Sequence, residues 1–374
     1  LSEPRQQQRL KTLQHTAQLR SWPLRTARDF RMRESEAYPE LYQESAARKT
    51  RDKAINILQG RTVGGSTTVN WTSSFRTPPA TLAYWQRNFG LAGYTQEAMA
   101  PWFDMMAQRL GVSDWTAPPN ENNDLLKRGA AKLGIPTGAI MRNVKGCWNL
   151  GYCGMGCPTN AKQSMLVTTI PSALDHHATL VTRARADKLV FKGDAVDHLL
   201  CRALGADGLV PTGRTLTLRA RHFVVAGGAI NSPALLLRSN APNPNGLLGA
   251  RTFLHPTVVS GAVFNQRVDA FAGAPQSIYS DHFLQTAAID GPIGYKLEAP
   301  PLHPLLLATT LAGFGQAHTQ MMQQFPHVHA LLALLRDGFH DASRGGTVAL
   351  AHNGNLINSA ELRDLVDERS GAGP

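Results

Sequence analysis

The stretch that most limits the fold runs from His222 to Ser239: His-Phe-Val-Val-Ala-Gly-Gly-Ala-Ile-Asn-Ser-Pro-Ala-Leu-Leu-Leu-Arg-Ser. Its apolar start predicts a buried strand. Gly227-Gly228 follow as a turn, and the Leu-rich remainder predicts a helix entered directly from that turn. The first N–H groups of such a helix have no partner inside it, and its N-terminus carries partial positive charge. A strand, a glycine turn and a helix in that order form the arrangement that seats a dinucleotide at the carboxyl end of a sheet. A full G-x-G-x-x-G is missing from this turn, so other parts of the chain must decide.

A second glycine segment, Gly60-Arg-Thr-Val-Gly-Gly-Ser-Thr-Thr-Val-Asn70, follows the apolar run Ala54–Leu58, read as a buried strand. Adjacent glycines let a backbone pass where a Cβ would clash. Ser66, Thr67, Thr68 and Asn70 place hydroxyl and amide groups beside that bare backbone, which suits a flat polar ring or a phosphate. The plain alternative is a Gly-rich turn between a strand and a helix.

The third segment is Cys147-Trp-Asn-Leu-Gly-Tyr-Cys-Gly-Met-Gly-Cys-Pro158. Its glycines forbid a regular element. The C-x5-C-x3-C spacing fits neither zinc nor ferredoxin patterns. Three readings stay open: a metal site lacking a local fourth ligand, a redox pair, and buried structural thiols.

Between these segments, helical spacing predicts helices over 79–89, 95–110 (Thr95 as N-cap), 120–133 (ended by Gly134) and 165–176. Met99, Trp102, Phe103, Met106 and Leu110 read as a core stripe. Strands are expected over 178–182, 188–191, 196–202 and 214–219, an antiparallel excursion, then over 258–264, 274–283 and 294–298, with helical stretches from Pro304 to Arg336. His255, alone in its stretch, reads as a structural histidine.

With 374 residues and 43% hydrophobic content the chain can bury a sizeable core. The net charge of +11 comes from scattered residues rather than a run, and no nucleic-acid signature accompanies it, so no nucleic-acid partner is expected. The first fifteen residues lack an apolar core, so no signal peptide is expected. No run of 18 apolar residues occurs. The expectation is a soluble chain, cytoplasmic or membrane-associated, with peripheral membrane contact left open.

Taken together, Gly60–Asn70, Gly146–Ser164 and Phe223–Ser239 resemble the glucose–methanol–choline (GMC) oxidoreductases. The cysteine stretch with Ala161-Lys-Gln-Ser164, and Gly273-Ala-Pro-Gln-Ser277, resemble the long-chain alcohol oxidase or choline dehydrogenase-like branch. The resemblance implies FAD, and oxidation of a small-molecule alcohol with hydride transfer to flavin N5; substrate and electron acceptor are not readable. It implies flavin-side contacts by Thr62, Gly64, Gly65, Ser66 and Asn70. Ala226, Gly227 and Gly228 resemble the motif near the adenosine end and pyrophosphate. Ala186 falls where the family contacts adenine through its backbone.

The implied fold class is α/β of mixed α+β type: an incomplete FAD-binding Rossmann-like domain with an antiparallel-sheet substrate domain. The expected division is an unrelated tail at 1–22, a FAD-binding domain at 23–250, a partial substrate-binding domain at 251–345 and a non-family tail at 346–374. The family's N-terminal G-x-G-x-x-G unit and its catalytic-histidine segment have no counterpart here, so no catalytic residue and no metal ligand is named. The alternative reading is a truncated or chimeric, inactive fragment without bound FAD. Gly345–Arg363 resembles an internal stretch of amidophosphoribosyltransferase.

Overall fold

Local chemistry sets most helix ends. Pro78-Pro79 starts α2 (Pro79–Phe89), and Gly90, at φ 67°, ends it; α1 (Glu34–Leu41) precedes it. The Thr95 hydroxyl accepts the Ala98 N–H at 3.1 Å and caps α3 (Gln96–Arg109). Asn120 caps α4 (Glu121–Lys132) through the Asn123 N–H, at 3.0 Å. These bounds match the expected helices. The fourth expected helix is reduced to α5 (Thr169–Asp175).

The structure, a computed structural model, describes residues 30–51, 55–250, 257–284, 294–311 and 313–335. His255 and the stretch 345–363 lie outside them, as do both expected tails. The chain divides into two units. The described part of the larger falls within 30–175 and 257–335; that of the smaller is 176–250.

The larger unit holds a five-stranded antiparallel sheet in the order β2 (Gly138–Ala139), β8 (Ile278–Ser280), β9 (Tyr295–Glu298), β10 (Val328–Leu335), β7 (Thr257–Val263). A two-stranded ladder joins β1 (Val112–Ser113) to β3 (Arg142–Asn143). Two fully buried asparagines lock α4 to the sheet. Asn123 Oδ1 accepts the N–H groups of Ser277, just before β8, and of Ile278 on it. Asn122 Oδ1 accepts Ala330 N–H on β10, and its Nδ2 donates to Pro300 O. The core beside them contains Val268, Ala270, Leu302, Leu307 and Ala330. Helices α7 (Pro304–Thr310) and α8 (Gly315–Gln323) lead into β10.

The smaller unit is a meander, β4 (Ala184–Lys192), β5 (Ala195–Leu204) and β6 (Pro211–Leu218), with α6 (Gly228–Arg238) against β4. Ser239 Oγ accepts Leu189 N–H at 2.9 Å and donates to Leu235 O at 2.6 Å, closing the helix onto the strand.

Five expectations are corrected. Residues 328–335 are a strand, not the end of a helical stretch: flanked by β7 and β9, β10 is apolar but for His329, and periodicity alone does not separate such a run from a helix. Residues 178–182 form no strand, and pairing begins only at Ala184. Residues 55–58 make one bridge, Lys49 to Asn56, rather than a buried strand. The stripe on α3 is not core: no residue of the helix is buried and Trp102 is 61% exposed, because α3 lies at the surface. Finally, Phe223–Ala226 is extended but not a strand, and Val224 is 89% exposed. A strand needs a ladder, and among the described residues none pairs with it.

Candidate functional site: the glycine loop and its backing

The loop from Gly60 to Ser73 is tied to itself at nearly every residue. Gly60 N–H donates to Ser66 Oγ at 2.9 Å, and Gly65 N–H donates to Thr62 O at 2.8 Å. Thr67 Oγ1 donates to Gly64 O, Thr68 Oγ1 to Val63 O, and Asn70 N–H to Ser66 O. Asn70 Oδ1 accepts Thr72 N–H.

The two central glycines have different roles. Both have positive φ, 88° at Gly64 and 59° at Gly65. A Cβ on Gly64 would lie 2.8 Å from Leu166 N, so this residue is bare because the backing segment is pressed against it. A Cβ on Gly65 would meet nothing within 4 Å. That face of the loop is open backbone. Beside it in sequence, Thr62 Oγ1 is buried without a hydrogen-bond partner, as are Trp71 Nε1, Thr72 Oγ1 and Ser73 Oγ further along. An orphaned buried hydroxyl costs about 1–3 kcal/mol unless something bonds to it.

Behind the loop lies residues 161–166. Met165 N–H donates to Thr67 Oγ1 at 3.0 Å. Lys162, 3% exposed, donates through Nζ to Thr68 O at 2.9 Å, Asn70 O at 2.5 Å and Cys153 O at 2.7 Å. Burial lowers its pKa to about 8, against the opposing pull of Cys153 and Cys157. Arg142, 1% exposed, donates to Trp71 O at 2.8 Å and to Pro275 O and Gln276 O, and lies 5.3 Å from the Trp115 ring; its Nε has no partner. Two buried cations thus hold the loop by its carbonyl groups. In the sequence, Lys162 stands within a family-like motif, and Arg142 is not among the candidate site residues. The available signal was a cation set among glycines, cysteines and asparagines with no acidic neighbour in sequence.

All four cysteines are free. Cys147 Sγ accepts Asn149 N–H, Cys157 Sγ accepts Lys162 N–H, and Arg142 reaches Cys153 Sγ at 3.8 Å. Burial raises the Cys147 pKa. Among the described residues no group of three or more His, Cys, Asp or Glu is placed to hold a metal ion, and no helix is long and apolar enough to cross a membrane.

The remaining candidates belong to the smaller unit. Ala226 and Gly227 are exposed at the start of α6, where Gly227 N–H donates to Ser232 Oγ at 2.8 Å and Gly228 has φ 86°. Ala186 is half-buried on β4, paired with Cys201 at a register shift. The structure therefore gathers Thr62, Gly64, Gly65, Ser66 and Asn70 in one loop and Ala226, Gly227 and Gly228 in one turn, with Ala186 on a strand.

In the larger unit, the loop suits a flat, polar group: Thr62 offers an unspent hydroxyl and Gly65 an unobstructed backbone face. In the smaller unit, α6 by itself presents a helix N-terminus, which suits an anionic group.

The chain is similar to known proteins. The chain is 26% identical over 321 residues to the long-chain-alcohol oxidase FAO1 of Arabidopsis thaliana, covering 83% of this chain and 42% of that protein. It is 30% identical over 300 residues to an uncharacterized GMC-type oxidoreductase of Mycobacterium tuberculosis, covering 79% and 45%. It thus spans less than half the length of these relatives. Among solved structures it is similar in fold to pyridoxine 4-oxidase from Mesorbium loti, with TM-score 0.52, 15% identity and coverage of 74% and 56%. A formate oxidase variant of Aspergillus oryzae gives TM-score 0.53 and 13% identity, covering 90% and 73%. The fold class is borne out as mixed helix and antiparallel sheet, and the cofactor of the family is FAD. The family model described as GMC oxidoreductase matches residues 38–257, more than half of the chain, and the chain belongs to that family.

Proposed function

We propose that this chain forms part of a FAD-dependent oxidoreductase that oxidises the CH–OH group of an alcohol. The observation that carries this reading is the pairing of Thr62's unbonded hydroxyl with Gly65's open backbone in the loop that the family uses toward flavin. Bound FAD would supply the two-electron acceptor that takes hydride from the carbinol carbon. The chain's own residues would bind and orient it: Thr62, Ser66 and Asn70 through polar side chains, Gly64 and Gly65 by leaving the backbone bare. In the smaller unit, by resemblance to the family motif, the turn Ala226-Gly227-Gly228 would take the pyrophosphate at the start of α6, and Ala186 would contact the adenine through its backbone. The substrate class proposed is a long-chain or choline-like alcohol, and the similarity to a long-chain-alcohol oxidase supports the long-chain alcohol.

A second reading has its own observation. Val224 is 89% exposed just before the turn that would take the pyrophosphate, and its segment has no ladder among the described residues. A turn so weakly anchored favours weak FAD binding by the chain alone, and with it an inactive fragment. Titrating FAD into the purified chain and following flavin fluorescence separates the two. Saturable, stoichiometric binding supports the first reading. Free flavin at all ratios supports the second.

A further inference from the structure

Lys162 is a buried ammonium whose three protons all go to backbone carbonyls: Thr68 and Asn70 on the glycine loop, Cys153 on the cysteine loop. The titratable groups that act on it are Cys153, Cys157 and the like-charged Arg142; none is a carboxylate. A salt bridge therefore does not explain why a charge is held there. The geometry does. Carbonyl groups of residues 68 and 70 turn inward to one point, which no backbone N–H of the loop reaches. A donor with three N–H vectors at one atom satisfies both of them and the Cys153 carbonyl at once. A guanidinium is planar, and a thioether or alkyl group donates nothing. The same segment presses Leu166 on Gly64 and lends Met165 N–H to Thr67, so Lys162 belongs to a template on which the loop is moulded.

We propose that Lys162 is a positioning residue: by gathering three carbonyl groups from two loops, its ammonium fixes the backbone shape in which Thr62 and Gly65 meet the cofactor. The role toward the cofactor rests on the FAD reading given above; the clamp itself does not.

The test uses the whole chain. Amide hydrogen exchange without FAD follows Gly65, Val69 and Asn70, bonded within the loop, and Met155, bonded within the cysteine loop. Lys162→Met keeps the stem volume and removes the donors. Expected is at least a tenfold loss of protection at those four amides, with Leu199 and Leu200 on β5 unchanged, and FAD binding weakened at least tenfold. Lys162→Ala should behave likewise and regain protection with added n-propylammonium but not with 1-propanol. Unchanged protection in Lys162→Met overturns the clamp, as does equal rescue by the alcohol. Altered exchange with unaltered FAD affinity overturns the positioning role. If the wild-type chain binds no FAD, the cofactor reading fails while the exchange result still decides the clamp. Should neither variant fold, acetic anhydride labelling of the wild-type chain decides it: Lys162 should react at least tenfold more slowly than exposed Lys127 and Lys132. Comparable rates overturn it.

Discussion

Glu34 receives the N–H of Leu305 on one carboxylate oxygen at 2.7 Å and that of Leu306 on the other at 2.9 Å. Helix α1, the first among the described residues, thereby caps α7, some 271 residues later. Tyr38 donates to the same carboxylate at 3.0 Å, and Glu34 is itself buried. Replacing it with Ala leaves two helix N–H groups and a phenol without their acceptor. Glu34→Ala should cost about 2–3 kcal/mol in urea unfolding. Glu34→Gln, which keeps one acceptor oxygen, should cost less. Equal losses would show that the side chain matters only as bulk.

Thr62→Val tests the orphaned hydroxyl. Valine has nearly the same shape and needs no partner, so removing an unbonded buried Oγ1 should leave stability unchanged or raise it by about 1 kcal/mol. FAD affinity should fall in the same variant. A variant that unfolds more easily than wild type would show that Thr62 already has a partner in the folded chain.

The two glycines should respond oppositely to a methyl group. Gly64→Ala drives a Cβ onto Leu166 and Thr68 at positive φ, and should destabilise by about 3 kcal/mol. Gly65→Ala meets open space and costs only the backbone preference, about 1 kcal/mol. Its effect should appear in flavin fluorescence titrations as weakened binding. Thermal melts of both variants with and without FAD check the contrast.

Lys162 also predicts a pH dependence. Its pKa is about 8 when folded, against 10.5 for an ordinary lysine. Between those values the unfolded chain holds a proton that the folded chain has released, so stability rises with pH across that window and is flat below it. The span corresponds to roughly 3 kcal/mol. Denaturant midpoints from pH 7 to 10.5 should climb in wild type, and Lys162→Met should lose this component of the slope.

Much of the local structure was legible in the sequence. Pro79, Thr95, Asn120 and Gly134 mark helix ends by steric and capping rules that act within a few residues, and the short β-runs between 188 and 219 mark the meander. What was not legible depended on partners far away in sequence. Val328–Leu335 is rich in Leu and Ala and became a strand because β7 and β9 flank it. Phe223–Ala226 has the composition of a strand but no ladder among the described residues. The glycine loop was visible as a candidate, yet the difference between Gly64 and Gly65 was not, since it comes from Leu166. Likewise, the burial of Arg142 and Lys162 was signalled only by the lack of acidic neighbours in sequence, because their acceptors are carbonyl groups, which carry no residue identity.

The Lys162 contacts also bear on how the chain reaches its fold. The ammonium bonds to carbonyl groups 94 and 92 positions earlier. During synthesis from the N-terminus, the glycine loop leaves the ribosome long before its clamp does, and at 5–20 residues per second that interval is on the order of 5–20 s. The loop must pass this time with its inward carbonyl groups bonded to water. Contacts of such wide sequence separation form slowly. The segment predicted to face the cofactor would therefore settle only after residue 162 has been made, and cofactor binding would follow that event.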